Sequence, residues 1–576
     1  MKLVRRQPSG KLCRDISQAS LIERVFAMRG INHQDELEVG LNKLHPISAL
    51  KDIEKATELL VDAIINHQKI LVIGDFDADG ATSTALTVRA IKAMGHEQID
   101  YLVPNRFEYG YGLTPEIVIE AKKFAPALIV TVDNGISSIK GVEKAKSLGI
   151  KVLITDHHLP AKEIPDADAI INPNQGGDTF PSKNLAGVGV AFYLMLALKL
   201  HLQKINYFSH NKITEPNLAE LLDLVALGTV ADVVTLDQNN RILVEQGLRR
   251  MRSGNASEGI KALFQIAKRD INSAVSTDLG FACGPRLNAA GRLDDMSLGI
   301  ECLLTEDPAQ AFEYAAALDD LNIERREIEE AMKTEAMQLL QELDDEKLSG
   351  DLPPVLCLYK ETWHQGVIGI LAARVRERYN RPTIIFAPAD DENNREIKGS
   401  ARSISTIHIR DIFDEVASCH PGLLEKFGGH AMAAGLTLEK SRLKEFTQAI
   451  CKIVNKHADE TTFQEILHSD GKLNEEEFDL KYAGELRFAA PWGQNFPSPN
   501  FDNHFTIVKK QAIKNHHLKL SLRPKGLERT VSAIAFNVDL QDWPIEGTEV
   551  HLLYKLEVNE YRGIRSLQLL IEKRLA

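Results

Sequence analysis

The chain has 576 residues, a mass of 64.1 kDa and a composition that is 44% hydrophobic and 26% charged; this is too long for one core and too apolar for disorder, and it predicts three or four globular domains. A net charge of -13 and a pI near 5.8 exclude a protein that coats nucleic acid wholesale, because phosphate binding needs cationic surface, and leave room only for a local basic patch. Cys13, Cys283, Cys302, Cys357, Cys419 and Cys451 form no CxxC pair, which argues against a disulfide framework or a zinc knuckle and predicts reduced, mostly buried thiols.

The N-terminal MKLVRRQPSGKLCRD is basic but has no apolar segment behind it, so it lacks the build of a secretory signal and a cytoplasmic location is expected. From about Ile70 to Ala231, KILVIGD, ALIVTVD and KVLITD alternate with helical patterns such as TALTVRAIKAMG and GVEKAKSLG. The alternation predicts an α/β fold of parallel strands joined by crossover helices. Ligands of such sheets gather beyond the carboxyl ends of the strands, and each of these runs ends in an acid. LAGVGVAFYLMLAL falls short of the roughly 18 residues of a membrane span and reads as a buried helix. A dinucleotide-binding reading of LAGVGVAF fails, because Phe192 stands where a third glycine should follow Gly187 and Gly189 and no strand precedes it.

Asp307 to about Leu343 has apolar residues at helical spacing, one proline at its start and no glycine; it predicts a long helix joining two bodies. LSGDLPPV at Leu348 marks a loop, and a second α/β segment runs to about Val454. Beyond about Ala458, LKLSL, VSAIAF, EVHLLYKLEV and LQLLIEKRL alternate with period two, the pattern of an antiparallel barrel or sandwich of about 110 residues.

The densest chemistry lies at the ends of the first apolar runs. Asp75, Asp77 and Asp79 follow KILVIG, Asp133 follows ALIVTV, Asp156, His157 and His158 follow VLIT, and Asp232 closes LGTVAD. An acid at a strand end is usually a cap or turn former, and a lone histidine is usually a surface or core residue. Four such signals in one α/β unit instead predict carboxylates and imidazoles converging from separate strand ends on a pair of divalent cations, which cancel their mutual repulsion. The mixed oxygen and nitrogen donors favour Mn²⁺, with Mg²⁺ as the alternative. Two ions about 4 Å apart suit in-line displacement at phosphorus. GATSTALTVRA after Asp79 is expected to open a helix whose first amides face the same site.

DFDADG, DNG and DHH, in this order, resemble the DHH phosphoesterase superfamily. FACGPRLNAAGRLDD, WHQGVIGI, KGSARS, FGGHAMAAG and PWGQNFP make the chain similar to its single-strand-specific exonuclease branch. The resemblance implies a parallel-sheet DHH catalytic domain, a connecting helix, a DHH-associated α/β domain and a C-terminal OB-fold, placed over 51–306, 307–345, 346–455 and 456–576 behind an N-terminal extension 1–50. It implies Asp77, Asp79, Asp133, His157 and Asp232 as metal ligands, Asp133 bridging and Asp75 a ligand or its neighbour. His158, facing away from His157 if the backbone is extended, falls to the substrate phosphate.

Arg286, Asn288 and Arg292 carry donors suited to phosphate oxygens, and with the resemblance they become substrate contacts. Ser400 and Arg402 in KGSARS are implied to hold a terminal 5′ phosphate, with His430 and His364 as further substrate contacts; backbone amides of such glycine-rich turns can form an anion nest. The basic KKQAIKNHHLKLSLRPKGLER at Lys509 and nearby Phe496, Phe501 and Phe505 suit a single strand by charge and stacking, although barrel aromatics are usually core.

The resemblance therefore implies a 5′→3′ exonuclease of single-stranded DNA that releases nucleoside 5′-monophosphates in recombination and repair, beside a helicase and a single-strand-binding protein, with no membrane partner. Two readings compete: a DHH phosphodiesterase of short oligonucleotides or cyclic dinucleotides, and a non-catalytic single-strand-binding replication protein. The extra barrel argues against the first. The complete set of ligand residue types argues against the second.

Overall fold

The computed structural model describes all residues except 10–18, 105–111, 347–351, 390–394, 425, 460, 514–516, 562 and 576. Cys13, the tip of the Leu348 loop and Lys514, Asn515 and His516 of the basic segment therefore lie outside the described residues. By its internal contacts the chain divides into two units, one built mainly from residues 3–291, 295–319 and 468–576 and the other mainly from 320–467.

In the first unit, β1 (Ile70–Ile73), β2 (Ile99–Leu102), β3 (Leu128–Val132), β4 (Lys151–Thr155) and β5 (Ala169–Ile171) form one parallel sheet in the order β2-β1-β3-β4-β5. Every residue of β1 and β3 is buried, as expected of strands covered on both faces. Because the chain leaves β1 for β2 on one side and returns to β3 on the other, the sheet changes winding direction between β1 and β3. A crevice opens there at the carboxyl ends.

Three helices close around that crevice: α1 (Ala78–Ala93), α2 (Gly187–Lys204) and α3 (Leu222–Ala231). LAGVGVAFYLMLAL is thus the buried helix α2, and among the described residues no helix is long and apolar enough to cross a membrane. Helix α4 (Gly284–Leu293) carries GPRLNAAGRL. The long helix α5 spans Pro308–Glu346, capped by Asp307, whose Oδ1 accepts from the Ala309 amide at 2.8 Å.

At the C-terminus, β6 (Phe501–Ile513), β7 (His517–Pro524), β8 (Val531–Ala535), β9 (Glu549–Tyr561) and β10 (Ile564–Arg574) close into a barrel. The 13-residue β6 is not among the strands expected from alternation, since its basic KKQ half breaks the pattern. Phe496, Phe501 and Phe505 are only 3%, 1% and 0% exposed. They belong to the core and stack no bases, which corrects that expectation.

The basic N-terminus is absorbed by acids before and in the barrel. Arg5 pairs with Asp502 at 2.6 Å, Arg6 and Arg29 with Asp470 at 3.2 and 3.1 Å, and Arg24 with Glu477 at 2.9 Å. PWGQNFP joins the barrel segment to the α/β segment of the same unit: Trp492 stacks on Phe496 at 5.4 Å, Arg241 lies 4.4 Å from the Phe496 ring, and the Leu236 amide donates to the Gln494 carbonyl at 2.9 Å.

The second unit contains a mixed five-stranded sheet in which Leu356–Tyr359 and Thr383–Pro388 are parallel and the remaining pairs are antiparallel. Of the described cysteines none is in a disulfide; Cys283 and Cys302 are buried, Cys357 and Cys451 partly so, and Cys419 is exposed.

Candidate metal centre

The chain leaves β1 through Gly74, Asp75 and Phe76 and enters α1 at Ala78. Asp77 caps the helix: its Oδ1 accepts from the amides of Asp79 at 2.9 Å and Gly80 at 3.0 Å. The first amides of α1, expected from the sequence to face an anionic ligand, are thus partly taken by the protein's own carboxylate. Asn288 serves the same turn, its Oδ1 accepting from the Ala78 amide at 2.8 Å.

Asp79 is fully buried, and the N-terminus of α2 grips it. The Gly187 amide donates to Oδ2 at 2.6 Å and the Val188 amide to Oδ1 at 2.9 Å. A Cβ on residue 187 would stand 2.6 Å from Asp133 Cβ and 2.7 Å from its Oδ1, so glycine is required for both carboxylates to approach.

Asp133 follows β3 with a left-handed backbone, φ 62°, a conformation that aspartate tolerates better than most residues. Next to it, Asn134 Nδ2 donates to the carbonyls of Ile73 at 3.0 Å and Val132 at 2.9 Å, which ties the tips of β1 and β3 together.

Asp156 organises the DHH turn. Its Oδ2 accepts from the Ile136 amide at 2.9 Å, and its Oδ1 accepts from the amides of His157 at 2.7 Å and His158 at 3.0 Å and bonds His158 Nδ1 at 2.7 Å. From the other side, Asn174 Nδ2 donates to the His157 carbonyl at 2.7 Å and Asn172 Nδ2 to that of His158 at 2.9 Å. Two expectations change here. The histidines lie beyond the end of β4, where strand alternation no longer applies, and their ring centroids are 4.5 Å apart instead of opposed. Asp232 comes from the end of helix α3 and not from a strand.

These elements bring the acids together. His157 Nε2 lies 3.1 Å from Asp133 Oδ1, 3.5 Å from Asp232 Oδ2 and 4.0 Å from Asp79 Oδ2. Asp75, Asp77 and Asp133 form one potential ligand group, Asp79, His157 and Asp232 a second, and Asp133, His157 and His158 a third, the donor atoms of each lying within 4.8 Å of one another. Asp133 belongs to two of the groups.

The electrostatics test whether cations fit. Burial, then the Asp232 charge, pushes Asp79 up to about 7; burial, then Asp77, pushes Asp232 up to about 7. Asp133 rises well above the carboxylate range through burial and the charges of Asp79, Asp77 and Asp75. Burial, with His158 beside it, lowers His157. Burial also opposes charge on His158, but its bond to Asp156 outweighs that and carries it up to about 9. Asp156 moves the other way: burial works against its charge, yet the His158 bond and the amides hold it below the usual carboxylate value. His157 Nε2 and Asp232 Oδ2 are buried without a hydrogen-bond partner, a costly state. The donor set therefore suits divalent cations, with oxygens in the majority and imidazole beside them.

Arg286 stands apart from this cluster, buried in an ion pair with Asp319 at 2.8 Å and donating Nη1 to the Ala282 carbonyl at 2.7 Å. Arg292, His364, Ser400, Arg402 and His430 group with the second unit. There Arg292 Nη1 donates to the Gly366 carbonyl at 3.3 Å, His364 Nδ1 accepts from the Gly366 amide at 3.1 Å, and the His430 amide donates to the Ala433 carbonyl at 2.8 Å. Lys398–Arg402 of KGSARS lie in the strand Glu396–Arg402, paired on both sides, so their amides form a ladder and no anion nest. Ser400 and Arg402 share a face of it, with Arg402 Nη1 donating to Ser400 Oγ at 3.2 Å. Arg402 makes no ion pair among the described residues, and burial, then Arg376, lowers its pKa. On the barrel, Lys509, Gln511, Lys519, Ser521, Thr530 and Ser532 line a shallow cavity of about 370 Å³.

Sequence reasoning meets Gly187 only in the rejected dinucleotide reading and Asn134 only inside DNG, and it does not single out Asn172 or Asn174. Two asparagines in INPNQ, just past an apolar AII run, are the signal that could have found the last pair.

A parallel sheet with this constellation at its switch point defines a DHH-type phosphoesterase domain, and the model for the DHH family N-terminal domain matches residues 69–229. The DHHA1 domain matches 352–456 and the RecJ OB domain 469–573. The chain is 51% identical to the single-stranded-DNA-specific exonuclease RecJ of Dickeya dadantii, covering 99% of this chain and 98% of that one, and 52% identical to RecJ of Escherichia coli K12, covering 96% and 95%. The crystal structure of RecJ from Thermus thermophilus in complex with Mn²⁺ superposes with a TM-score of 0.77 at 28% identity, over 96% of this chain and 76% of that one. The chain belongs to the RecJ family of single-stranded-DNA-specific exonucleases.

Proposed function

We propose that this protein is a metal-dependent exonuclease of single-stranded DNA that works 5′→3′ and releases nucleoside 5′-monophosphates. The observation that carries the reading is the convergence of Asp75, Asp77, Asp79, Asp133, His157, His158 and Asp232 at the switch point of the sheet. Near-full-length similarity to RecJ enzymes supports the polymer substrate over short oligonucleotides and over a non-catalytic binding role.

Asp77, Asp79, Asp133, His157 and Asp232 hold two cations, Mn²⁺ in preference to Mg²⁺, and Asp75 completes the group around Asp133. When bound, the cations supply Lewis-acid stabilisation of charge on the phosphate oxygens and lower the pKa of water. The chain's own residues do the rest. The α2 amides orient Asp79, and Asn134 fixes the position of Asp133. Asp156 fixes the His158 ring through Nδ1, and His158 acts on the substrate phosphate. In the second unit, Arg402, which has no carboxylate partner among the described residues, and Ser400 hold the terminal phosphate. Arg292, His364 and His430 act on the strand as further contacts; Asn288 acts by holding the Ala78 turn, and Arg286 by holding α4.

The division into 1–50, 51–306, 307–345, 346–455 and 456–576 is the domain organisation we assign, with the barrel as the single-strand-binding part. A cytoplasmic location, a role in recombination and repair, and a helicase and a single-strand-binding protein as partners belong to the same proposal. The test uses single-stranded DNA labelled at either end, with Mn²⁺, Mg²⁺ or chelator, against a blunt duplex. Release of the 5′ label first, in Mn²⁺ and not in chelator, and resistance of the duplex are expected. Equal rates on both substrates would remove the strand specificity, and activity confined to dinucleotides would favour the smaller-substrate reading.

A further inference from the structure

An exposed aromatic ring stands on a turn packed against the helix that ends at Asp232. Residues Leu279–Cys283 form a π-helical turn leading into α4, and Phe281 on this turn is 77% exposed. The turn packs on the end of α3: a Cβ on Gly280 would lie 3.3 Å from Val230 Cγ1, and one on Gly284 3.2 Å from Ala231 Cβ. The residues that follow Ala231 are Asp232 and then Val233, itself 62% exposed with φ 63°. A left-handed backbone is costly for a β-branched residue. Single exposed hydrophobics are ordinary; a π-turn and a strained valine meeting at the last carboxylate of a metal site are not.

Phe281 also lines a groove of about 440 Å³ between the catalytic segment and the barrel of the same unit, together with Trp492 and Leu556. That volume is within the ~300–1,000 Å³ of ligand pockets. Along it Arg269 pairs with Asp278 at 3.7 Å and Lys555 with Glu572 at 3.0 Å, so the charge offered to a phosphate rests on Arg487. Arg487 makes no ion pair among the described residues and donates Nη2 to the Ser273 carbonyl at 3.2 Å. Phe281 thus belongs both to the groove and to the turn that packs on Val230 and Ala231.

We propose that Phe281 is a stacking platform for one nucleobase of the single strand as it passes from the barrel to the carboxylate site, with Arg487 on the backbone phosphate of the same stretch. This rests on the exonuclease reading and deepens it. A base can lie flat on Phe281 only when it has left its neighbours, so the platform selects an unpaired, flexible strand and rejects a duplex whose base faces are already covered.

The test measures binding of full-length protein in chelator to a set of oligonucleotides, each carrying one abasic nucleotide at a successive position, with cleavage in Mn²⁺ followed in parallel. In the wild type one register is expected to lose about 10-fold in affinity, the scale of a lost base stack. Phe281→Ala should lose about 10-fold on the intact strand and nothing further at that register, whereas Phe281→Trp should restore both the affinity and the register dependence. Unchanged affinity of Phe281→Ala, or an abasic penalty in that variant equal to the wild-type one, would overturn the platform while leaving the exonuclease intact. Failure of the wild type to bind or shorten the intact strand would overturn both.

Discussion

The Gly187 amide donates to Asp79 Oδ2 at 2.6 Å, so the N-terminus of one helix sets the carboxylate of another. The space that a methyl group at residue 187 would need is occupied by Asp133. Gly187→Ala must therefore displace one of two buried acids. We expect its Mn²⁺ affinity to fall about 10- to 100-fold, the usual effect of disturbing groups that orient ligands, with far-ultraviolet circular dichroism unchanged. Calorimetric titration of the metal would measure it, and wild-type affinity would contradict the packing.

Asp133→Asn should change stability with opposite signs in two conditions. In chelator the variant relieves crowding among desolvated carboxylates and should melt at least about 2 °C higher than the wild type, the shift of roughly 1 kcal/mol in a domain of this size. In Mn²⁺ the order should reverse, because bound metal stabilises only a native state that can hold it. Cleavage should be abolished while strand binding in chelator persists. Undiminished nuclease activity would reject the site assignment.

Asn174→Ala removes the donor to the His157 carbonyl. The DHH turn keeps its Asp156 bonds and the Asn172 bond to the His158 carbonyl but loses its anchor at His157, so the predicted outcome is a drop of about 10-fold in metal affinity, larger than any change in thermal midpoint would account for. Asn174→Asp, which cannot donate the same bond, should behave like the alanine variant. A full rescue by aspartate would show that the side chain's bulk matters and not its hydrogen bond.

The N-terminal clamp gives a prediction about pH. Burial opposes the charge on Asp502, but its bonds to Arg5, Ser469 and His551 hold its carboxyl below the ordinary value. A native carboxyl that titrates below its unfolded value near ~3.9 contributes stability that is present above that pH and lost as pH falls through the native value. Asp502→Asn should cost about 2 kcal/mol at pH 7, below the full penalty of a broken buried pair because Arg5 is half exposed. The gap between wild type and variant in urea unfolding should narrow at pH 3; a gap that widened would reverse the assignment.

Much of the site is legible in the order of residues alone, because acids at the ends of apolar runs mark both the strand ends and the crevice where ligands collect. Asp75, Asp77, Asp133 and His157 follow from that logic. Asp232 does too by family resemblance, although the element carrying it is a helix: LGTVA is apolar enough for either, and periodicity does not separate a short buried strand from a short buried helix. The stacked Phe496 and the core Phe501 and Phe505 show the matching limit in the barrel, where an aromatic reads alike whether it faces a base or the interior.

Composition and local pattern settle which backbone segments become strands and which residues can carry charge, since those depend on side-chain periodicity along a few residues. Partners brought from afar do not follow from such patterns. That Gly187 holds Asp79, that Asn174 braces His157 from 17 positions away, that Arg286 is spent on Asp319, and that Phe281 stands exposed on a turn packed against the end of α3 are decided only when the sheet closes and helices α1, α2 and α3 meet. Short-range chemistry acts between neighbours in space, and for this site those neighbours are set by the crossing of the chain at the switch point.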